Sequence, residues 1–297
     1  MPNPQLDQIR AMLKANPVVT AGATLDQMRK GLDAMGGMTP ALLDVATMAV
    51  DAGGVPATWF TPQRGARDRV MLYLHGGGYV LGSVQSHRPL IERLARSCAC
   101  RVLAIDYRLA PEAPFPAAVD DAVAAYRWLL AQGVGAAHIA IAGDSAGGGL
   151  TLAALLALRD AGDPMPACAV PISPWTDMEG AGASMETRAA VDPIVQKAAL
   201  IDLAGMYLNG ADPKHVLASP LNADFGGLPP LLIQVGDAET LLDDTTRLRA
   251  KLAAAGVDAT IEVWDEMIHV WHLFAPMLDK GQEAIDRIGA FVRGHIP

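Results

Sequence analysis

From about residue 54 onward, short apolar runs alternate with stretches of helical periodicity, and this alternation restricts the fold more than any other feature. Val70 to Leu74, Arg101 to Ile105, His138 to Ala142, Ala167 to Ile172, Leu231 to Val235 and Thr260 to Trp264 read as strands. Pro116 opens a helix with Val119, Val123, Tyr126 and Leu130 on one face. Further helices are expected over Ala146 to Ala161, ending near Gly162, over Leu241 to Ala255, and over Gly281 to Arg293. Such alternation implies an α/β fold, a mostly parallel sheet with helices on both faces. Glu179 to about Ser219 interrupts it as a long helical insertion, near the carboxyl ends of the strands where open α/β sheets bind ligands. The first 45 or so residues also read as helical. Leu6, Ile9, Met12 and Leu13 share one face, Leu25 and Met28 begin a second, and Gly36, Gly37 and Pro40 punctuate. This segment is a packed extension or a lid.

Composition narrows the class. The 297 residues allow two domains or one large one. A 51% hydrophobic content is enough for a large core and excludes disorder over most of the chain. The net charge of −9 and pI near 5.2 argue against a nucleic-acid partner, which requires a dense cationic surface. Mean hydropathy of +0.23 suggests a membrane protein, but the longest apolar stretch, Gly147 to Leu158, stops at Arg159. It falls short of the ~20 residues of a span. The N-terminus has no basic segment followed by an apolar one, so no secretory signal is read there. With no such signal, Cys98, Cys100 and Cys168 are expected as buried free thiols in a reducing cytoplasm.

Two glycine-rich motifs carry chemistry. Gly143-Asp144-Ser145-Ala146-Gly147 has the form G-x-S-x-G, with a strand leading in and a helix leading out. In that context the turn exposes a serine hydroxyl beside the free amides of a helix N-terminus. The plainer reading is an ordinary strand–helix turn. His75-Gly76-Gly77-Gly78-Tyr79 follows the strand MLYL, and its glycines let backbone amides face a developing oxyanion. The alternative of a phosphate loop lacks the Lys and Ser/Thr that should follow.

HGGGY, YRLAPEAPFPAAVDDAVAAYRWL from Tyr107 to Leu129, and GDSAGG, in this order, resemble the hormone-sensitive-lipase-like family of α/β-hydrolase esterases. The likeness runs from about residue 50 to the end, preceded by a family-like helical cap. It implies an α/β-hydrolase core over residues 46–179 and 219–297, with a helical cap built from residues 1–45 and 180–218. It also implies a carboxylic-ester hydrolase that forms an acyl-enzyme through a Ser–His–acid triad, needs no metal or organic cofactor, and acts on short- to medium-chain esters. Ser145 matches the nucleophile, and Gly76, Gly77 and Ala146 match the oxyanion donors. His75 matches the histidine that shapes the oxyanion loop.

The base comes last in this fold. His269 matches it, with Trp271 at the usual Phe, and His272 is the rival. The acid region departs from the family's D-P-L-x-D-E. Aligned on Asp243-Asp244, it places Glu239 at the acid and Thr240 at the proline, with Asp237 as the alternative acid. Asp144 is expected in structural hydrogen bonds that anchor the oxyanion loop, Arg108 and Glu112 as a mutual pair, and Asp243 and Asp244 as favourable charges at a helix start. Met185, Ile194, Leu200, Leu203, Met206, Tyr207 and Leu208 come with the cap. The expected partner is a small-molecule ester, with no nucleic acid and no stable membrane insertion. A homodimer through the edge strand Thr260 to Trp264 is expected from the resemblance. Amide or peptide hydrolysis by the same triad remains a competing reading. So does a non-catalytic receptor, whose mark is loss of the histidine that His269 supplies here.

Overall fold

The computed structural model describes residues 3–16 and 22–297. Residues 1–2 and 17–21 of the expected N-terminal cap lie outside the described residues. Among the described residues, eight strands form one sheet: β1 (Val45–Asp51), β2 (Pro56–Pro62), β3 (Ala66–Leu74), β4 (Cys100–Ile105), β5 (Ile139–Asp144), β6 (Cys168–Ile172), β7 (Leu231–Gly236) and β8 (Ala259–Trp264). Their spatial order is β1-β2-β4-β3-β5-β6-β7-β8. From β4 to β8 every pairing is parallel, and β2 alone runs against the rest, antiparallel to both the edge strand β1 and β4. That hairpin was absent from the strands expected by periodicity. It turns through Gly53 and Gly54, both at positive φ, and Asp51 Oδ1 accepts the Gly54 amide at 2.6 Å.

Side chains of β3 show how the two layers arise. Val70, Leu72 and Leu74 enter one core with helices α4 (Ala117–Ala131), α5 (Ala146–Ala161) and α8 (Leu242–Ala254). Met71 and Tyr73 point to the opposite core, covered by α3 (Val84–Cys98) and α9 (Asp279–His295). Alternation with a period of two on a strand covered on both faces makes the sequence apolar throughout, VMLYL. The α3 helix is not among the helices expected from the sequence. Its start is fixed by a capping box, in which Ser83 accepts the Ser86 amide at 3.0 Å and Ser86 accepts the Ser83 amide at 2.8 Å. The three cysteines are free and buried in the α3–α9 layer.

The cap region has two parts. The first is α1 (Pro4–Ala15), whose Leu6, Ile9 and Leu13 bury against Met267, Ile268 and Trp271, together with α2 (Leu25–Met38). The insertion between β6 and β7 is less helical than its composition suggests. Only α6 (Ser184–Thr187) and α7 (Lys197–Leu208) form α-helix, and apart from a 3-10 turn at Pro220–Asn222 the rest is irregular backbone tied by side-chain bonds. Among the described residues, no helix is long and apolar enough to cross a membrane.

Candidate active site

The carboxyl ends of the parallel strands converge on one cavity of about 400 Å³. β3 runs into His75, β5 into Ser145, β6 into Ser173, β7 into the loop holding Glu239, and β8 into the loop holding His269. Ser145 sits between β5 and α5 at φ 55° and ψ −119°, an unusual conformation for a residue with a side chain. Surrounding bonds impose it: the Ser145 amide donates to Ile172 O at 2.8 Å, and Ser145 O accepts from Trp175 and Gly149 at 2.9 and 3.0 Å. Such a residue stores roughly 1–3 kcal/mol of strain, held by its neighbours. Two residues on, Gly147 lies so close to β3 that a Cβ would overlap the Leu74 carbonyl.

The hydroxyl, an imidazole and a carboxylate stand in series. Ser145 Oγ is 2.9 Å from His269 Nε2, and His269 Nδ1 is 2.5 Å from Glu239 Oε2. The other Glu239 oxygen accepts the Ser173 hydroxyl at 2.8 Å and the Gly236 amide at 2.6 Å. Burial disfavours the charged imidazole of His269, but the adjacent Glu239 outweighs it and holds its pKa above the ordinary value. Asp237, the other candidate acid, is turned away; it accepts the Glu266 amide at 2.7 Å. His272 is also excluded from the series, since its Nε2 meets Gln234 Oε1 at 2.7 Å inside the core. Burial lowers its pKa to about 3, so it is neutral.

On the oxyanion side the expected donor Gly76 is not free. The Gly76 amide is occupied, donating to Asp144 Oδ1 at 3.1 Å, and Gly76 does not border the cavity. Gly77 and Gly78 do border it, with Gly77 at a φ of 118° that glycine tolerates. The amides of Gly77, Gly78 and Ala146 have no acceptor among the described residues. Asp144 is therefore the brace of this loop. It also accepts the Tyr73 hydroxyl at 2.5 Å and faces His87 Nε2 at 3.2 Å. Burial opposes its ionisation, but His87 and Tyr73 keep its pKa below the usual aspartate value. His75 is buried, stacked on Tyr107 with centroids 4.3 Å apart, and donates from Nδ1 to Gly76 O at 2.7 Å. Burial brings its pKa to about 3, and it serves as a wedge for the loop.

The expected Arg108–Glu112 pair does not form. Arg108 pairs with Asp121, while Glu112 receives both Nη1 and Nη2 of Arg29 at 2.8 Å. Arg29 also donates to Val80 O at 2.8 Å, so it ties α2 to the oxyanion loop. Asp244 acts across the fold as well as at its helix start, accepting the amides of Thr176 and Asp177 at 2.7 and 3.0 Å.

The cavity wall is mostly apolar. Ile194, Leu200 and Leu203 come from the insertion, as expected, whereas Met185, Tyr207 and Leu208 are buried in packing. Met12 and Leu13 of α1 and Leu32, Met35 and Met38 of α2 also line it, a role the sequence did not reveal. Nor did it reveal Tyr73, His87 or Ser173, which have no local motif.

A sequence profile for the alpha/beta hydrolase fold matches residues 71–273. An acetyl-hydrolase of Streptomyces hygroscopicus is 48% identical over 99% of this chain and 97% of its own. The crystal structure of an esterase from the bacterial hormone-sensitive lipase family superposes with a TM-score of 0.97, at 51% identity over all of both chains. The esterase EstE5, in a crystal soaked with p-nitrophenyl butyrate, superposes with a TM-score of 0.95 at 48% identity over 99% of both chains. The chain is an α/β-hydrolase. Within that fold it belongs to the bacterial hormone-sensitive-lipase-like family of carboxylic-ester hydrolases.

Proposed function

We propose that this protein hydrolyses short- to medium-chain carboxylic esters through a covalent acyl-enzyme, with Ser145 as nucleophile, His269 as base and Glu239 as acid. The unbroken series from Ser145 Oγ through His269 to Glu239, opposite three unpaired backbone amides, is the observation that carries this reading. Ser145 Oγ attacks the ester carbonyl carbon while His269 Nε2 takes its proton. Glu239 accepts a hydrogen bond from the Nδ1–H, which stays on the ring, and stabilises the imidazolium that forms. The carbonyl oxygen becomes an oxyanion facing the amides of Gly77, Gly78 and Ala146. Each such preorganised donor is worth about 3–4 kcal/mol in hydrolases. The C–O bond then breaks, and the leaving alkoxide takes the proton from His269. Water repeats the sequence and releases the acid.

The apolar wall and a cavity of about 400 Å³ favour an uncharged acyl chain of modest length. The kinship with an acetyl-hydrolase and with an esterase soaked in a butyrate ester supports the same range. The test is turnover of p-nitrophenyl esters from acetate to palmitate. Ser145→Ala is expected to lower kcat by about 10⁶-fold and Glu239→Ala by about 10⁴-fold, with Asp237→Ala within a few-fold of wild type. Retained turnover in Ser145→Ala, or an Asp237 effect exceeding that of Glu239, overturns the assignment. Palmitate cleaved faster than butyrate and hexanoate overturns the chain-length reading.

A further inference from the structure

Asp192 lies in the insertion between β6 and β7, is 3% exposed, and has no ion-pair partner among the described residues. Backbone and hydroxyl donors satisfy its carboxylate instead. Oδ2 accepts the Thr240 amide at 2.8 Å and the Thr240 hydroxyl at 3.1 Å. Oδ1 accepts the amides of Ile194 and Val195 at 2.8 and 3.0 Å. Thr240 directly follows Glu239, and Ile194 and Val195 line the cavity. One buried carboxylate therefore joins the loop of the acid to the wall against which a substrate lies.

We infer that Asp192 is a positioning residue for the hydrolytic series: it fixes the backbone from which Glu239 reaches His269 and, with the same group, the wall at Ile194 and Val195. The inference rests on Glu239 being the acid. A glutamate has one more side-chain torsion than an aspartate, so its carboxylate is aimed only when both ends are held. Ser173 and Gly236 hold the carboxylate end, and Asp192 holds the backbone end through Thr240. Thr240 is suited to this because it supplies an amide and a hydroxyl; a proline there would supply neither.

Asp192 also acts electrostatically. The ionisable groups within electrostatic reach of the His269 imidazole are Glu239 from the β7 loop, Asp144 from the nucleophile turn, Asp192 from the insertion and His272 from its own loop. The three carboxylates favour the imidazolium, whereas His272, held neutral by burial, adds no charge to it.

Asp192→Asn distinguishes positioning from bulk stability. Asparagine has one carbonyl oxygen, so it can serve the Thr240 amide or the Ile194 and Val195 amides, but not both. It also removes a negative charge near His269. The full chain and its variants are assayed with p-nitrophenyl butyrate from pH 5 to 9. Rates are normalised to sites titrated by a fluorophosphonate probe, with thermal melts in parallel. The expected result is a kcat about tenfold lower per titrated site, with the acid limb of kcat/KM moved to lower pH. Thr240→Val keeps the Asp192 charge and loses only the hydroxyl. It is expected to lower kcat about threefold with the acid limb in place.

Asp192→Asn with wild-type kcat and an unmoved acid limb overturns the inference. A lower melting temperature with unchanged kcat and limb reduces Asp192 to a structural role and overturns it equally. If Asp192→Asn does not fold, Thr240→Val carries the test, and wild-type kcat there is the refuting result. Glu239→Ala is run alongside. Activity retained in Glu239→Ala brings down the underlying assignment, whereas its loss together with an unaffected Asp192→Asn brings down this inference alone.

Discussion

Tyr73→Phe removes one oxygen atom from the interior and leaves the aromatic packing intact. Tyr73 is fully buried in β3, and its hydroxyl donates at 2.5 Å to Asp144 Oδ1, which also accepts the Gly76 amide at 3.1 Å. A hydrogen bond to a charged group contributes about 1.5–3 kcal/mol. Little is recovered elsewhere, because Asp144 is buried and water does not replace the lost donor. At about 2 °C per kcal/mol for a chain of this size, the melting temperature should fall by roughly 3–6 °C. The functional effect follows from the same bond. Without the phenol, Asp144 holds the oxyanion loop through Gly76 and His87 alone, and the Gly77 and Gly78 amides lose part of their fixed geometry. Complete loss of one oxyanion donor costs about 10²–10³-fold in kcat. Partial displacement should therefore cost about tenfold, with KM nearly unchanged, since Tyr73 does not line the cavity. The assay is kcat and KM on p-nitrophenyl butyrate, normalised to titrated serine, together with a thermal melt. A variant that melts with the wild type and keeps its kcat refutes the idea that the Tyr73–Asp144 bond supports the loop.

Two further outcomes are expected. Burial pushes the Asp244 carboxyl up to about 7, with Thr176 and Arg247 opposing and Asp177 adding to the rise. A carboxyl raised on folding costs stability as pH climbs from its unfolded to its folded pKa. Relative to Asp244→Asn, the wild type should thus lose about 3 kcal/mol between pH 5 and 8 in urea titrations, the loss ending near pH 7. A difference between the two proteins that does not change with pH would contradict this. β8 ends the sheet with its outer edge unpaired among the described residues and Val263 44% exposed. A dimer through this edge is expected by analytical ultracentrifugation, and Thr260→Pro should weaken it; a monomeric wild type at tens of micromolar sinks the proposal.

The parts of this protein legible in the sequence are those whose cause is local. Interior strands such as Val70–Leu74 are apolar on both faces because both faces are covered, so they stand out as runs. The turn at Ser145 is written in its neighbouring glycines and in the strand and helix around it. Glu239 could be picked out as the candidate acid because Asp243 and Asp244 set the register, and its carboxylate lies 2.5 Å from His269 Nδ1. The β1–β2 hairpin was harder. It lies at the sheet edge, where exposed positions such as Thr47 and Met48 break up the apolar pattern.

What only the tertiary structure decided are choices between chemically equivalent groups. Three consecutive glycines carry identical amides, and that of Gly76 is kept from the cavity because Asp144, 68 residues later, accepts its N–H. Glu112 has arginines near and far, yet Arg29 claims it from 83 residues away because α2 packs over the oxyanion loop. Asp192 and Thr240 are 48 residues apart and carry no motif. Sequence order determines which groups a protein possesses. Which donor meets which acceptor depends on how strand ends and cap segments come together, because a hydrogen bond is decided within about 3 Å and not along the chain.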